Sequence, residues 1–109
     1  VDEQTNLAEL KELVADFVAA RNWEHYHRIK NLSMSIAIES AELMEHFQWL
    51  DDAEEEALLA DPARKEEMAD ELADVLIYIL SFANAADLDL SNIVKTKMSR
   101  NETRFPPGG

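Results

Sequence analysis

The chain has 109 residues, 47% of them hydrophobic, with two glycines, no cysteine and a formal net charge of −13. That length suits one domain with a modest core, and two glycines, both at the extreme C-terminus, favour helix over an all-β fold with its turns. Missing cysteines exclude disulfides, thiolate metal sites and a thiol nucleophile; the acidity argues against binding a nucleic-acid polymer; and no apolar run approaches the roughly 20 residues that span a bilayer. No signal-peptide pattern precedes the first expected helix, so the expected location is the cytoplasm.

Residues 6–20 are expected to form an amphipathic helix, because Leu7, Leu10, Val14, Phe17 and Val18 recur at helical spacing. Asn6 with Glu9 three residues on resembles a capping box in which Asn replaces Ser or Thr. The next stretch, residues 21–27, is too polar for core and too aromatic for a plain linker. A long second helix is expected from about Asn31 to Leu50. Residues 51–61 carry Asp51, Asp52, Glu54, Glu55 and Glu56, and read as an exposed connection with at most a helical turn. Asp61-Pro62 is a strong helix start, since Asp caps free N–H groups and proline suits the first helical position. The helix that follows runs to about Ala86, with Leu72, Val75, Leu76, Ile79 and Ala83 as its apolar stripe. Asp89 can cap a last helix of roughly residues 90–103, and residues 105–109 are expected to form a mobile tail.

The expected fold is therefore all-α: a single domain, with its core at about residues 6–104, forming a four-helix bundle with two long central helices. Those two helices are apolar on more than one side, with Met34, Ala37, Ile38, Ala41 and Met44 on one, and Tyr78 and Phe82 on the other, lying off the main stripes. A helix apolar around most of its circumference is central or meets another chain, so a homodimer or homotetramer built through helix packing is expected. Met34, Met44 and Met98 are expected to fill core space.

Two acidic spacings stand out, Glu39-x-x-Glu42 and Glu71-x-x-Asp74. Carboxylates three residues apart share a helix face, and Glu39 falls within the apolar stripe of Leu32, Ile36, Leu43 and Leu50. An ionised carboxylate there is costly unless a positive charge meets it. If the helices pack together, four carboxylates converge with no Lys or Arg interleaved, and a divalent cation resolves the conflict. Oxygen ligands alone suit Mg²⁺, with Mn²⁺ as a substitute, and the natural client of such a site is a phosphate ester or anhydride. Glu45 extends the acidic face and could hold a second metal, orient an attacking water or reach solvent. A di-iron site would need Glu-x-x-His on two helices; His46 follows Glu42 at the wrong spacing and the third helix has no His. Six of the ten basic residues lie in two clusters, Arg28 with Lys30, and Lys95, Lys97, Arg100 with Arg104, which could serve a small anionic ligand.

With a 28-residue gap between them, the two acidic pairs resemble the signature of the MazG-like all-α nucleoside triphosphate pyrophosphohydrolases. Arg21-Asn22-Trp23-Glu24, the run from Glu39 to Phe47-Gln48-Trp49, Asp74-Val75-Leu76-Ile77-Tyr78, and Lys97-Met98-x-x-Asn101-x-x-Arg104-Phe105-Pro106 look like the dCTP pyrophosphatase branch. The resemblance spans about residues 7–106. It implies hydrolysis of a (deoxy)nucleoside triphosphate to monophosphate and pyrophosphate, with Glu39, Glu42, Glu71 and Asp74 holding Mg²⁺. It further implies that Lys97 and Arg104, and more weakly Lys30, meet the phosphates, and that Asn101 hydrogen-bonds the nucleotide. Trp23, Trp49 and Tyr78 are the candidates to stack on or wall in the base, while His27 is expected at the surface. Cytosine preference follows only from the resemblance. The chain departs from the family at Ser40-Ala41, where glycine is frequent, and at Ser99, Arg100, Glu102 and Thr103, which bears on phosphate affinity and base preference. The contrasting expectation is a helical interaction or nucleotide-sensing module without catalysis.

Overall fold

The computed structural model describes residues 1–108; Gly109, the end of the expected tail, lies outside the described residues. Five α-helices follow one another: α1 Leu7–Ala20, α2 Ile29–Glu45, α3 Asp52–Ala60, α4 Pro62–Ala86 and α5 Leu90–Arg104, with a 3₁₀ turn at Glu24–Tyr26 between α1 and α2. No strand occurs among the described residues, and no helix is long and apolar enough to cross a membrane.

The caps explain most boundaries. Asn6 accepts a hydrogen bond from the Glu9 amide at 2.9 Å, starting α1. The helix ends in a Schellman motif: Asn22 is left-handed (φ 54°), its N–H donates to the Ala19 carbonyl, and the Trp23 N–H donates to that of Val18. Helix α4 ends the same way through left-handed Asp87 (φ 53°) and Leu88. Asn and Asp tolerate this conformation better than most non-glycine residues, so two sharp stops are made without internal glycine.

Two expectations are corrected here. Helix α2 ends at Glu45 rather than Leu50, and residues 46–49 form turns. The acidic connection is itself a helix, α3. Asp51 accepts from the Glu54 amide at 2.8 Å while the Glu54 carboxylate accepts from the Asp51 amide, a complete capping box. Capping requires Asp51 to be extended (ψ 178°), so the chain must leave α2 before it. Asp61 then closes α3 and opens α4, accepting from the Ala63 and Arg64 amides ahead of Pro62.

Helix α4, about 37 Å long for its 25 residues, is the hub on which α2, α1 and α3 pack. Helix α5 packs extensively on none of them. Among the described residues, only Val18, Leu32, Leu58, Leu80 and Ala83 form the buried apolar core. Met34, Met44 and Met98 are exposed, not core filling, as are Ile38, Leu72, Leu76 and Ile77. The accessible surface is 8501 Å², against about 6100 Å² for a compact monomer of this mass. The radius of gyration is 16.8 Å, against about 13 Å. The isolated chain is thus an open arrangement of five helices rather than a closed four-helix bundle.

Candidate active site

The α2–α4 pairing is the most extensive in the molecule, and it carries the acidic residues together. Carboxylate oxygens of Glu39 and Glu42 on α2 and Glu71 on α4 lie within 4.8 Å of one another. Glu39 and Glu71 are half-buried, and each has one oxygen shielded from solvent with no hydrogen-bond partner. Such an oxygen is costly unless a donor or cation meets it.

The electrostatics say the same. Burial pushes the Glu39 carboxyl up to about 7, assisted by a hydrogen bond to Glu42 and by the charges of Glu42, Asp74 and Glu71. Glu71 is also raised, first by burial, then by Glu42 and Asp74. Every charged neighbour that shifts Glu39 is another carboxylate. The donor set of hard oxygens and the orphaned buried lone pairs fit a divalent cation. Asp74 stands outside the tight triplet but near enough for its charge to act on both raised groups. Glu45 is exposed in the last turn of α2, outside the triplet.

The aromatic candidates are dispersed. Trp23 is held by the Schellman motif that ends α1, packs edge-on against Phe17 at 5.8 Å and remains 42% exposed. The Arg21 guanidinium lies over the Phe17 ring at 3.6 Å. Trp49, in the turn after α2, is 85% exposed, and Tyr78 on α4 is half-buried. The cationic candidates are not assembled. Lys30 is exposed at the start of α2, and Lys97 and Arg104 are exposed on the unpacked α5. Asn101 is half-buried there, with its amide donating to the Met98 sulfur at 3.8 Å.

Comparison with known proteins now bears on this arrangement. The MazG-like family profile matches residues 34–107. This chain belongs to the MazG-like family. It is 37% identical over 103 residues to dCTP pyrophosphatase 1 of Rattus norvegicus and 36% identical to that of Homo sapiens, each match covering 94% of this chain and 61% of the relative. The chain thus spans about three-fifths of the length of these curated relatives. A crystal structure of a pyrophosphatase from Archaeoglobus fulgidus superimposes with a TM-score of 0.86 at 41% identity, covering 94% of both chains.

One feature of this MazG-like chain escaped the sequence reading. A cavity of about 370 Å³ lies between α1, the 3₁₀ turn and α4. His27, expected at the surface, lines it together with Glu24, Ser81 and Asn84. The available signal was Ser81, a polar residue set among Leu80, Phe82 and Ala83.

Proposed function

We infer that this chain hydrolyses a (deoxy)nucleoside triphosphate of the cytosine type to the monophosphate and pyrophosphate, in a Mg²⁺-dependent reaction that limits a deoxynucleotide pool. The observation that carries the reading is the close triplet of Glu39, Glu42 and Glu71, with two orphaned buried oxygens and no cation of the chain among the charges acting on it. The names of the relatives, dCTP pyrophosphatase and pyrophosphatase, support the reaction class.

Glu39, Glu42, Glu71 and Asp74 would hold the metal. Bound Mg²⁺ would supply neutralisation of phosphate charge and make water easier to activate. The water oxygen forms a bond to the α-phosphorus while the bond from that phosphorus to the bridging oxygen breaks, and pyrophosphate leaves with that oxygen. Glu45, one turn beyond Glu42, is assigned to orienting the attacking water. Trp23, Trp49 and Tyr78 offer flat faces to the base, and Lys97, Arg104, Lys30 and Asn101 offer donors to the triphosphate.

Those donors require a second copy of the chain. About 2400 Å² of surface beyond the compact expectation, with exposed Leu13, Leu72, Leu76 and Ile77, is on the scale of an obligate interface. An α5 that lacks packing in one chain gains it in a homodimer or homotetramer. Sedimentation should give a dimer or larger; a stable monomer with full activity would remove this element.

The decisive test is a panel of deoxynucleoside triphosphates with and without Mg²⁺, scored for monophosphate and pyrophosphate. Formation of both products only with Mg²⁺ is expected. Neither product, together with no Mg²⁺-dependent rise in melting temperature, overturns the reading in favour of a helical interaction or nucleotide-sensing module.

A further inference from the structure

Helix α5 carries the cations assigned to the triphosphate, yet the chain gives it little to lean on. It packs extensively on no other helix, and every residue from Ser91 to Arg100 is exposed. Its direction is therefore set where it begins, in the turn of residues 87–89 after α4. The two sides of Leu88 are held there by different helices. Its N–H donates to the Ala83 carbonyl of α4 at 2.9 Å, closing the Schellman motif. Its carbonyl accepts from the Lys11 ammonium of α1 at 2.8 Å. That carbonyl belongs to the peptide unit leading into Asp89, the cap of α5. Holding it fixes the plane from which the helix departs.

Lys11 is suited to this task. It is half-buried, and a hydrogen bond from a charged donor is stronger than one from a neutral group. Its own carbonyl accepts from Asn84 Nδ2 at 2.9 Å, so the side chain rises from a backbone that is itself tied to α4. Packing does not close the corner instead: a cavity of about 210 Å³ lies at the starts of α1 and α5, lined by Asn6, Leu7, Lys11, Asp89 and Ser91 among others. Small angles at this corner matter at the far end. Lys97 lies about 10 Å and Arg104 about 21 Å along α5 from its first residue. A swing of about 10° at the Leu88 carbonyl moves Arg104 by about 4 Å, more than the length of a hydrogen bond.

We propose that Lys11 is a positioning residue for the cations of α5: by holding the Leu88 carbonyl it fixes how α5 leaves α4, and so the places of Lys97 and Arg104. This role deepens the nucleotide pyrophosphohydrolase reading and rests on it for what those two cations do.

Lys11→Met keeps the apolar stem and removes the donor, and two measurements read its effect. The chain has no cysteine, so spin labels can be placed at Glu67→Cys on α4 and Ser99→Cys on α5, both exposed, with labelled chains diluted in unlabelled ones. The distance between labels should be narrowly distributed when Lys11 is present, and should broaden or shift by at least about 2 Å in Lys11→Met. An unchanged distribution overturns the assignment. The second measurement is a double-mutant cycle on turnover of dCTP. Lys11→Met should raise KM about fivefold with kcat within twofold, and Lys11→Arg, which keeps a charged donor, should recover most of the loss. In a chain already carrying Lys97→Ala and Arg104→Ala, Lys11→Met should change kcat/KM by less than about twofold, because no cation is left for it to place. The full fivefold loss in that background marks a merely structural role and overturns the assignment, as does a KM within twofold of wild type in Lys11→Met alone. Failure of the parent reading looks different: no triphosphate yields pyrophosphate with the wild-type chain, whereas the label distances still decide whether Lys11 directs α5.

Discussion

The acidic and basic regions of this molecule are built in opposite ways. The carboxylates are drawn from two helices whose mutual packing is the most extensive in the chain, and two of them, Glu39 and Glu71, are half-buried. The basic residues Lys95, Lys97, Arg100 and Arg104 belong to one helix, all exposed, with no scaffold behind them. Preorganised charge can be strongly perturbed, as Glu39 is, whereas solvated charge interacts weakly and is screened. The difference teaches that the chain's own packing presets its carboxylates, whereas its basic helix is left without a comparable support.

The largest effect expected is on the preset half. Glu39→Gln, Glu71→Gln or Asp74→Asn should lower turnover at least about 100-fold, since each removes the charge of a proposed metal ligand. Each should leave the metal-free melting temperature unchanged or raised because a repelling carboxylate is gone. Pyrophosphate release and calorimetry read the two quantities; full Mg²⁺-dependent activity in these variants would dissolve the contrast. Lys97→Ala or Arg104→Ala should raise KM by roughly tenfold through loss of a charged hydrogen bond. Mixing Glu71→Gln chains with Lys97→Ala chains should restore part of the activity if the basic helix serves a neighbouring site. Activity no greater than the sum of the separate variants would place both halves in one chain.

A smaller effect is expected from pH. Glu39 in the fold holds its proton up to about 7, against an ordinary 4.5, so the folded state binds more protons than the unfolded state between those values. Stability of the metal-free protein is then greatest below pH 4.5 as far as this group is concerned, and falls as pH rises toward 7. A thermal melt series in EDTA should show that decline, and Mg²⁺ should reduce or reverse it; a rising EDTA series would contradict the buried carboxylate picture. Smallest of all, Asp51→Ala should cost about 1 kcal/mol by removing the capping box of α3. Thermal circular dichroism should register this with little change in the kcat of the carboxylate site.

Much of the scaffold was legible because helix signals are local. Asn6, Asp61-Pro62 and Asp89 mark the starts of α1, α4 and α5, each cap being a side chain reaching an amide two or three residues away. The end of α2 was not legible because apolar Phe47, Trp49 and Leu50 continue a helical pattern that Asp51, committed to the next helix, interrupts. Helix α3 hid behind its acidity: five carboxylates in six residues read as solvated chain, and only Leu58 reveals its packed side. The pairing of Glu39 with Glu42 follows from three-residue spacing, but the closeness of Glu71 and the outlying place of Asp74 depend on how α2 and α4 cross. The cavity holding Ser81 needs three elements at once, and no local pattern announces it.

Asn84 also enters a two-way clasp. Its amide bonds the Lys11 carbonyl, while the Lys11 ammonium bonds the Leu88 carbonyl at 2.8 Å, joining residues 73 and 77 positions apart. Contacts of such sequence separation pay a large loop-closure entropy and form slowly. Helix α1 therefore reaches its seat only after α4 and the turn beyond it exist, making its docking a late event in folding. During synthesis α1 emerges before α4 and waits for its clasp, its apolar face exposed, until the turn after α4 has followed it out.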